Sequence, residues 1–333
     1  SELTAEDIGG GINLLDLGAS GAVPAYWKPL AHLTNLVGFD PNRDECRRLE
    51  NQESEFLSQR FLPYAIAGEE NMFTLFKTNN IYCWSLLEPN TDWLRRFSIS
   101  ERFEVKDAEE MPARTLGGIP ELENADIDAM KIDTQGLELP ILNSAEDIVR
   151  DCILIETETG FCENYLGETT FDQIMEYMRA MGFGLFDINA SHRVSRANAF
   201  SNKTRNEQIL WCEAIWLRDF CQIDANHMAR VSRQKALKAL CIFANHGCVS
   251  FGLEAAGCFA DHGILSSGEL QSLSDDTASW AIGKRKRAAS IKSAALKTIL
   301  NLIPRRHYGE IHEALRELRD TEHPLSGIAR RND

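Results

Sequence analysis

The sequence predicts an α/β, Rossmann-like protein: a doubly wound parallel sheet followed by a C-terminal all-helical extension. Three observations predict it. Short apolar runs alternate with helical stretches over the first two thirds of the 333 residues. The first of these runs ends in a carboxylate and a glycine turn. Strand-like runs stop after about Asp219. Strands covered on both faces by helices read as near-continuous apolar runs. Strands that alternate with helices imply a parallel sheet built from right-handed crossovers.

The runs occupy residues 12–17, 35–40, 60–65, 127–133, 153–158, 183–188 and 209–217. One helix between them is legible in detail. Thr170 and Gln173 have capping-box spacing, Phe171, Ile174, Met175 and Met178 share a face, and Gly182 ends the helix. After Gly136 a second helix is expected, with Pro140 tolerable only near its start. Between Gly68 and Arg114 the pattern is less regular. Residues 72–77 alternate like a strand of an insertion, and residues 79–90 have the polar and aromatic mixture of a loop over a site. The expected division is a domain of residues 1–220 and a helical extension of residues 221–333. In the extension, Phe243-Ala244-Asn245-His246-Gly247 recurs as Phe259-Ala260-Asp261-His262-Gly263. Each copy reads as a helix end, with glycine in the left-handed cap and His246 or His262 a capping residue rather than a metal ligand.

Hydrophobic content of 44% and charged content of 26% are those of a soluble globular chain. A net charge of -15 argues against a general affinity for nucleic acid. The acidic start SELTAEDIGG has no apolar core, and no signal peptide is expected. No apolar run approaches the roughly 20 residues that cross a bilayer. The nine cysteines form no CxxC pair; they read as scattered free thiols without a zinc site or disulfide framework, which points to the cytoplasm.

The loop Asp16-Leu17-Gly18-Ala19-Ser20-Gly21 carries the chemistry. Glycines allow a sharp turn and close approach of a ligand, and backbone N–H groups at the next helix start would face it. The second run ends in Asp40, where a carboxylate can accept hydrogen bonds from both ribose hydroxyls. An acid at that position is shared by dinucleotide and S-adenosylmethionine sites. The strict GxGxxG of the former is missing, and Asp16 two residues before the first glycine suits a cofactor with an amino group and no pyrophosphate.

The chain resembles the FkbM family of methyltransferases. Leu15-Asp16-Leu17-Gly18-Ala19-Ser20-Gly21 is similar to the family's first motif, Gly38-Phe39-Asp40-Pro41 to its second, and Ala65-Ile66-Ala67-Gly68 to the turn after the third strand. Met130-Lys131-Ile132-Asp133-Thr134-Gln135-Gly136-Leu137-Glu138 resembles its Lys-Ile-Asp signature, and Ile153-Leu154-Ile155-Glu156 and Gly182-Phe183-Gly184-Leu185-Phe186-Asp187-Ile188 continue the likeness. Ser20 stands where the family usually has Asn, Ala22 where it has Gly, and Gln135 where it has Glu. The resemblance covers about residues 10–218. It implies a class I methyltransferase fold, with a mostly parallel seven-stranded sheet and an antiparallel last strand. It also implies S-adenosylmethionine-dependent O-methylation of a sugar, polysaccharide or natural-product hydroxyl. The cofactor-binding candidates are Asp16, Gly18, Ser20, Gly21, Asp40, Pro41, Ile66 and Asp133. Two alternatives stay open: a nicotinamide-dependent nucleotide-sugar enzyme, and a degenerate methyltransferase domain acting as a binding scaffold.

Ligands of an open parallel sheet sit at the carboxyl ends of its strands. Asp16, Asp40, Asp133 and Glu156 all end expected strands, a field suited to a cationic sulfonium. A sugar hydroxyl is a poor nucleophile, so a base or a metal should assist. Asp133 is the first candidate for base or metal ligand, followed by Glu156, Glu158 and His192. A divalent metal is a candidate second cofactor, and oxygen ligands would favour magnesium or calcium. Arg193 and Arg196 are candidates for holding a phosphate or carboxylate on the acceptor. Lys284-Arg285-Lys286-Arg287, Lys292, Lys297, Arg305 and Arg306 form a run free of acids, either a solvated helix face or a site for an anionic partner. A sugar or glycan acceptor is the main expected partner, and a second copy of the chain is a further candidate.

Overall fold

The structure is a computed structural model that describes residues 3–21, 23–189, 191–198 and 207–283. The basic run at 284–306, and Ala22, lie outside the described residues. Thr4–Leu270 form one compact unit. A second takes in Ser1–Leu3 and the chain from Gln271 on.

Seven strands form the main sheet: β1 (Ile12–Leu17), β2 (Thr34–Phe39), β3 (Ser58–Leu62), β4 (Ala129–Ile132), β5 (Leu154–Gly160), β6 (Phe183–Asn189) and β7 (Trp211–Arg218). Their spatial order is β3-β2-β1-β4-β5-β7-β6. The first five are parallel, and β7 runs antiparallel to both β5 and β6. This is the mostly parallel seven-stranded sheet with an antiparallel last strand that the resemblance implies. The strand order reverses between β1 and β4, which makes their C-terminal ends the crevice for a ligand. Asp16 faces Gly38 on one side and Lys131 on the other, so residues far apart in sequence meet at one strand tip.

The apolar runs become strands because both of their faces are covered. Leu15, Leu17, Phe39, Ile132, Ile155 and Trp216 belong to one buried cluster, with Ile141 and Leu142 of the helix Glu138–Ser144 and Ile174 and Met178 of the helix Phe171–Ala180. The latter helix starts with the expected box: the Thr170 N–H donates to Gln173 Oε1 at 3.0 Å. Gly182 follows it at φ +81, a left-handed conformation that costs a glycine little.

The strand Asn71–Thr78 pairs antiparallel with Val105–Arg114. The second of these was not legible in the sequence. Most of its residues are exposed, so no apolar alternation marks it; its partner strand, rather than burial, satisfies its backbone.

The helices Arg233–Asn245 and Val249–Asp261 end at the repeated motifs, with Gly247 at φ +73 and Gly263 at φ +72. The bonding repeats too: Cys248 N donates to Phe243 O, and Ile264 N to Phe259 O, both at 2.8 Å. Arg233–Asn245 packs on the 3₁₀ helices Glu6–Ile8 and Ala25–Leu33. Its lysines reach the N-terminal edge of the sheet. Fully buried Asp128 accepts from Lys235 Nζ at 2.8 Å, from Lys238 Nζ at 2.7 Å and from the Asn13 N–H at 2.9 Å.

The reading of all cysteines as free thiols is corrected. Cys221, just past β7, is disulfide-bonded to Cys258 in the helix Val249–Asp261, 37 residues on. Spacing could not reveal a pair brought together only by the packing of that helix. The bond removes the thiol argument for a reducing compartment. No helix among the described residues is long and apolar enough to cross a membrane.

Candidate active site

Two cavities open side by side at the C-terminal edge of the sheet. Gly18, Ser20, Phe39, Asp40, Pro41, Tyr64, Ile66, Tyr82, Trp84 and Asp133 line the first. The second, about 330 Å³, is lined by Tyr82, Arg102, Phe103, Gln135, Glu158, Asn164, Tyr165, Glu168, His192 and Trp211, and again by Asp133. Asp133, Tyr82 and Gln135 belong to both walls. Residues 79–90, read as a loop over a site, supply Ile81, Tyr82, Trp84, Ser85 and Leu86 to the first cavity.

The β1 tip is shaped by contact with β4. A Cβ on Gly18 would lie 1.9 Å from the Asp133 carbonyl oxygen, and its φ is +82. Only glycine fits there, for space and for conformation. The loop then hands its N–H groups to two carboxylates. Ser20 N donates to Asp40 Oδ2 at 3.0 Å, and Gly21 N to Glu45 Oε1 at 3.0 Å. The Asn42 N–H donates to Asp40 Oδ1 at 2.8 Å. Burial raises the Asp40 carboxyl above its ordinary value, and the bonds from Ser20 and Asn42 oppose that rise.

Asp16 is buried and stands behind this loop. Its Oδ1 lies 3.3 Å from Lys131 Nζ, and it lines neither cavity. Lys131 also lies 3.4 Å from Asp133 Oδ2. Burial works against the lysine's charge, but Asp16 and Asp133 more than offset it and its pKa is raised. Glu156 is buried beside them, and one of its oxygens has no hydrogen-bond partner. Burial, with the charges of Glu213 and Asp16, pushes its carboxyl up to about 8.

Gln135 organises the wall between the cavities. Its Nε2 donates to Asp133 Oδ1 at 2.7 Å and to Glu158 Oε1 at 2.9 Å. Its Oε1 lies 2.9 Å from Tyr165 Oη, and its carbonyl accepts from Ser85 Oγ at 2.8 Å. The residue sits at φ +57, an uncommon value outside glycine that the surrounding bonds hold in place. A glutamate at this position would lose both donations and put a third carboxylate against Asp133 and Glu158. Glu138 shapes the same turn from below, accepting from the Thr134 and Gly136 N–H groups at 3.0 and 3.1 Å; burial pushes its carboxyl up to about 7. Burial and the Asp133 charge likewise hold Glu158 well above the ordinary range.

His192 reaches the second cavity from the loop after β6, its ring stacked on Trp211 with centroids 5.3 Å apart. Arg193 and Arg196 turn elsewhere: Arg193 donates to the Glu207 carbonyl, and Arg196 lies over the Phe97 ring. Among the expected residues, Gly18, Ser20, Asp40, Pro41, Ile66 and Asp133 meet at the first cavity, and Asp133, Glu158 and His192 at the second. Asp16, Gly21 and Glu156 line neither. The sequence reading missed Tyr165, Trp211 and Glu213 as site residues. Trp211 and Glu213 are two apart on β7 and so share a face, but only the register with β5 tells which face.

The family described as Methyltransferase FkbM domain matches residues 18–185, just over half of the 333. No curated protein matches the chain. Among solved structures, the chain is similar to magnesium protoporphyrin IX methyltransferase from Synechocystis PCC 6803, at 10% identity over 62% of this chain and 70% of that one, with a TM-score of 0.32. It is also similar to a TehB-like SAM-dependent methyltransferase from Corynebacterium glutamicum, at 11% identity over 62% and 80%, with a TM-score of 0.30. Likenesses this distant do not bear on the chemistry of this chain.

Proposed function

Because the chain belongs to the FkbM family of S-adenosylmethionine-dependent methyltransferases, we propose that it methylates a hydroxyl of a sugar, polysaccharide or natural product, with residues 1–220 as the catalytic part and 221–333 as its extension. The carrying observation is that one carboxylate, Asp133, lies in the walls of both cavities. Methyl transfer needs the acceptor oxygen in line with the methyl carbon and sulfur. A group shared by a cofactor cavity and an acceptor cavity stands where that line must pass.

The residues of the first cavity fit the cofactor. Phe39, Pro41 and Ile66 offer apolar surface to a planar base, and Asp40 at the β2 tip can accept from ribose hydroxyls. Asp16, Asp133, Glu156 and Glu158 surround a single buried lysine, so the strand tips carry an excess of acid that a sulfonium and an ammonium would balance. Bound there, S-adenosylmethionine supplies an electrophilic methyl carbon. Gln135 and Lys131 fix the Asp133 carboxylate, and its free lone pair takes the proton from the acceptor hydroxyl as that oxygen attacks. The bound cofactor would supply the methyl group to that oxygen and keep the electron pair of its S–CH₃ bond as a neutral thioether. Tyr82, Phe103 and Trp211 give the acceptor cavity aromatic walls, and Asn164, Glu158 and Glu168 give it polar ones. Such a lining suits a polyhydroxylated acceptor.

The test is a calorimetric titration with S-adenosylmethionine, followed by assay of S-adenosylhomocysteine release with a panel of glycosides. Saturable binding, weakened about 10- to 100-fold by Asp40→Ala through lost hydrogen bonds to a charged group, is the expected outcome. Absence of binding, or binding that never leads to transfer to any hydroxyl, favours a scaffold instead.

A further inference from the structure

We propose that Glu158, His192 and Glu213 form a divalent-cation site in the wall of the second cavity. They are the one group of three such ligand types, among the described residues, whose donor atoms all lie within 4.8 Å of one another. Two strands and a loop bring them together. Glu158 of β5 and Glu213 of β7 are direct partners in the antiparallel register, so both side chains leave the same face of the sheet. Like charges directly opposite each other are unfavourable unless something lies between them. His192 Nε2 lies 3.5 Å from Glu213 Oε1. That nitrogen is buried and makes no hydrogen bond.

Each ligand is held by a second residue, as metal ligands are. Gln135 Nε2 donates to Glu158 Oε1 at 2.9 Å, and Asn189 Nδ2 donates to Glu213 Oε2 at 2.8 Å. In each carboxylate one oxygen is tethered and the other is left for a cation; in Glu213 the untethered oxygen is the one nearest His192. The His192 ring is set by its stack on Trp211. Ligand–metal distances of about 2.0–2.2 Å place neighbouring donor atoms roughly 3 Å apart, so the three donors, now within 4.8 Å of one another, would close in on a bound cation. One imidazole and two carboxylates suit Mn²⁺ or a cation of similar hardness. Glu158 and His192 line the acceptor cavity, so the remaining coordination positions would face it and take acceptor hydroxyl oxygens. That last role rests on the proposed function; the site itself does not.

The experiment is a titration of chelator-stripped full-length protein with Mn²⁺ followed by electron paramagnetic resonance, alongside a calorimetric titration with S-adenosylmethionine on the same samples. One Mn²⁺ per chain is expected. His192→Ala and Glu213→Gln should each weaken it at least tenfold, while Asp40→Ala, in the other cavity, leaves it unchanged. Near-native melting temperatures of the variants guard against misfolding, and Asn189→Ala, which removes the tether on Glu213 but no ligand atom, should weaken Mn²⁺ by a smaller factor. No saturable Mn²⁺ binding, or equal binding by His192→Ala, reduces the group to a His–Glu ion pair and overturns the site. Mn²⁺ binding without S-adenosylmethionine binding would overturn the methyltransfer reading and leave the site standing.

Discussion

The two edges of the sheet treat buried charge in opposite ways. At the N-terminal edge one carboxylate, Asp128, is held by two ammonium groups, Lys235 and Lys238, and by the Asn13 N–H. At the C-terminal edge one ammonium group, Lys131, stands among Asp16, Asp133, Glu156, Glu158 and Glu213. The first arrangement is satisfied by the protein itself and fastens the helix Arg233–Asn245 to the sheet. The second carries more acids than its one lysine can pair, and burial favours protons on Glu156 and Glu158 that an arriving cation would displace. A buried charge that the fold compensates is structural; one that it leaves uncompensated points to a ligand.

The sharpest way to break this comparison is at the acidic edge. Asp133→Asn keeps the shape of the wall but removes the base, and kcat is expected to fall by about 10²- to 10⁴-fold. The dissociation constant for S-adenosylmethionine should change little by comparison. A variant with near-normal kcat would move the base elsewhere in the cavity.

The opposite edge should respond in stability rather than in catalysis. Asp128→Ala removes the buried acid shared by two lysines and leaves them only the more exposed Asp126, and urea unfolding should report a loss of about 3 kcal/mol. Turnover per folded molecule should be retained. If activity falls while stability holds, the division between a structural and a functional edge is wrong.

The smallest effect sharpens the acidic edge further. The folded Glu156 carboxyl is pushed up to about 8 from an ordinary 4.5. The folded protein therefore holds this proton more tightly than the unfolded chain does. The stabilising contribution is complete below about pH 4.5 and is lost as pH rises through about 8. Glu156→Gln should flatten that part of the decline in melting temperature with pH, and an unchanged slope would assign the decline to other groups.

Much of the fold was legible because its strands are apolar runs and its helix ends carry glycines and caps. The exposed strand Val105–Arg114 was not, because pairing rather than burial supports it. Part of the site was legible as well: Gly18, Asp40 and Asp133 follow from a glycine turn and from acids at strand ends. Asp16, two residues before Gly18, is buried, and its carboxylate is engaged by Lys131.

The sequence by itself determined where the main-sheet strands lie along the chain, the turn at Gly18 and the acids near the strand tips. These depend on local periodicity, on the space glycine leaves, and on which residue ends a run. Tertiary structure alone decided that Gln135 joins Asp133 to Glu158, that Glu213 faces Glu158, and that Cys221 meets Cys258. Those contacts depend on the register of an antiparallel strand and on helix packing between distant segments, and no local pattern encodes either.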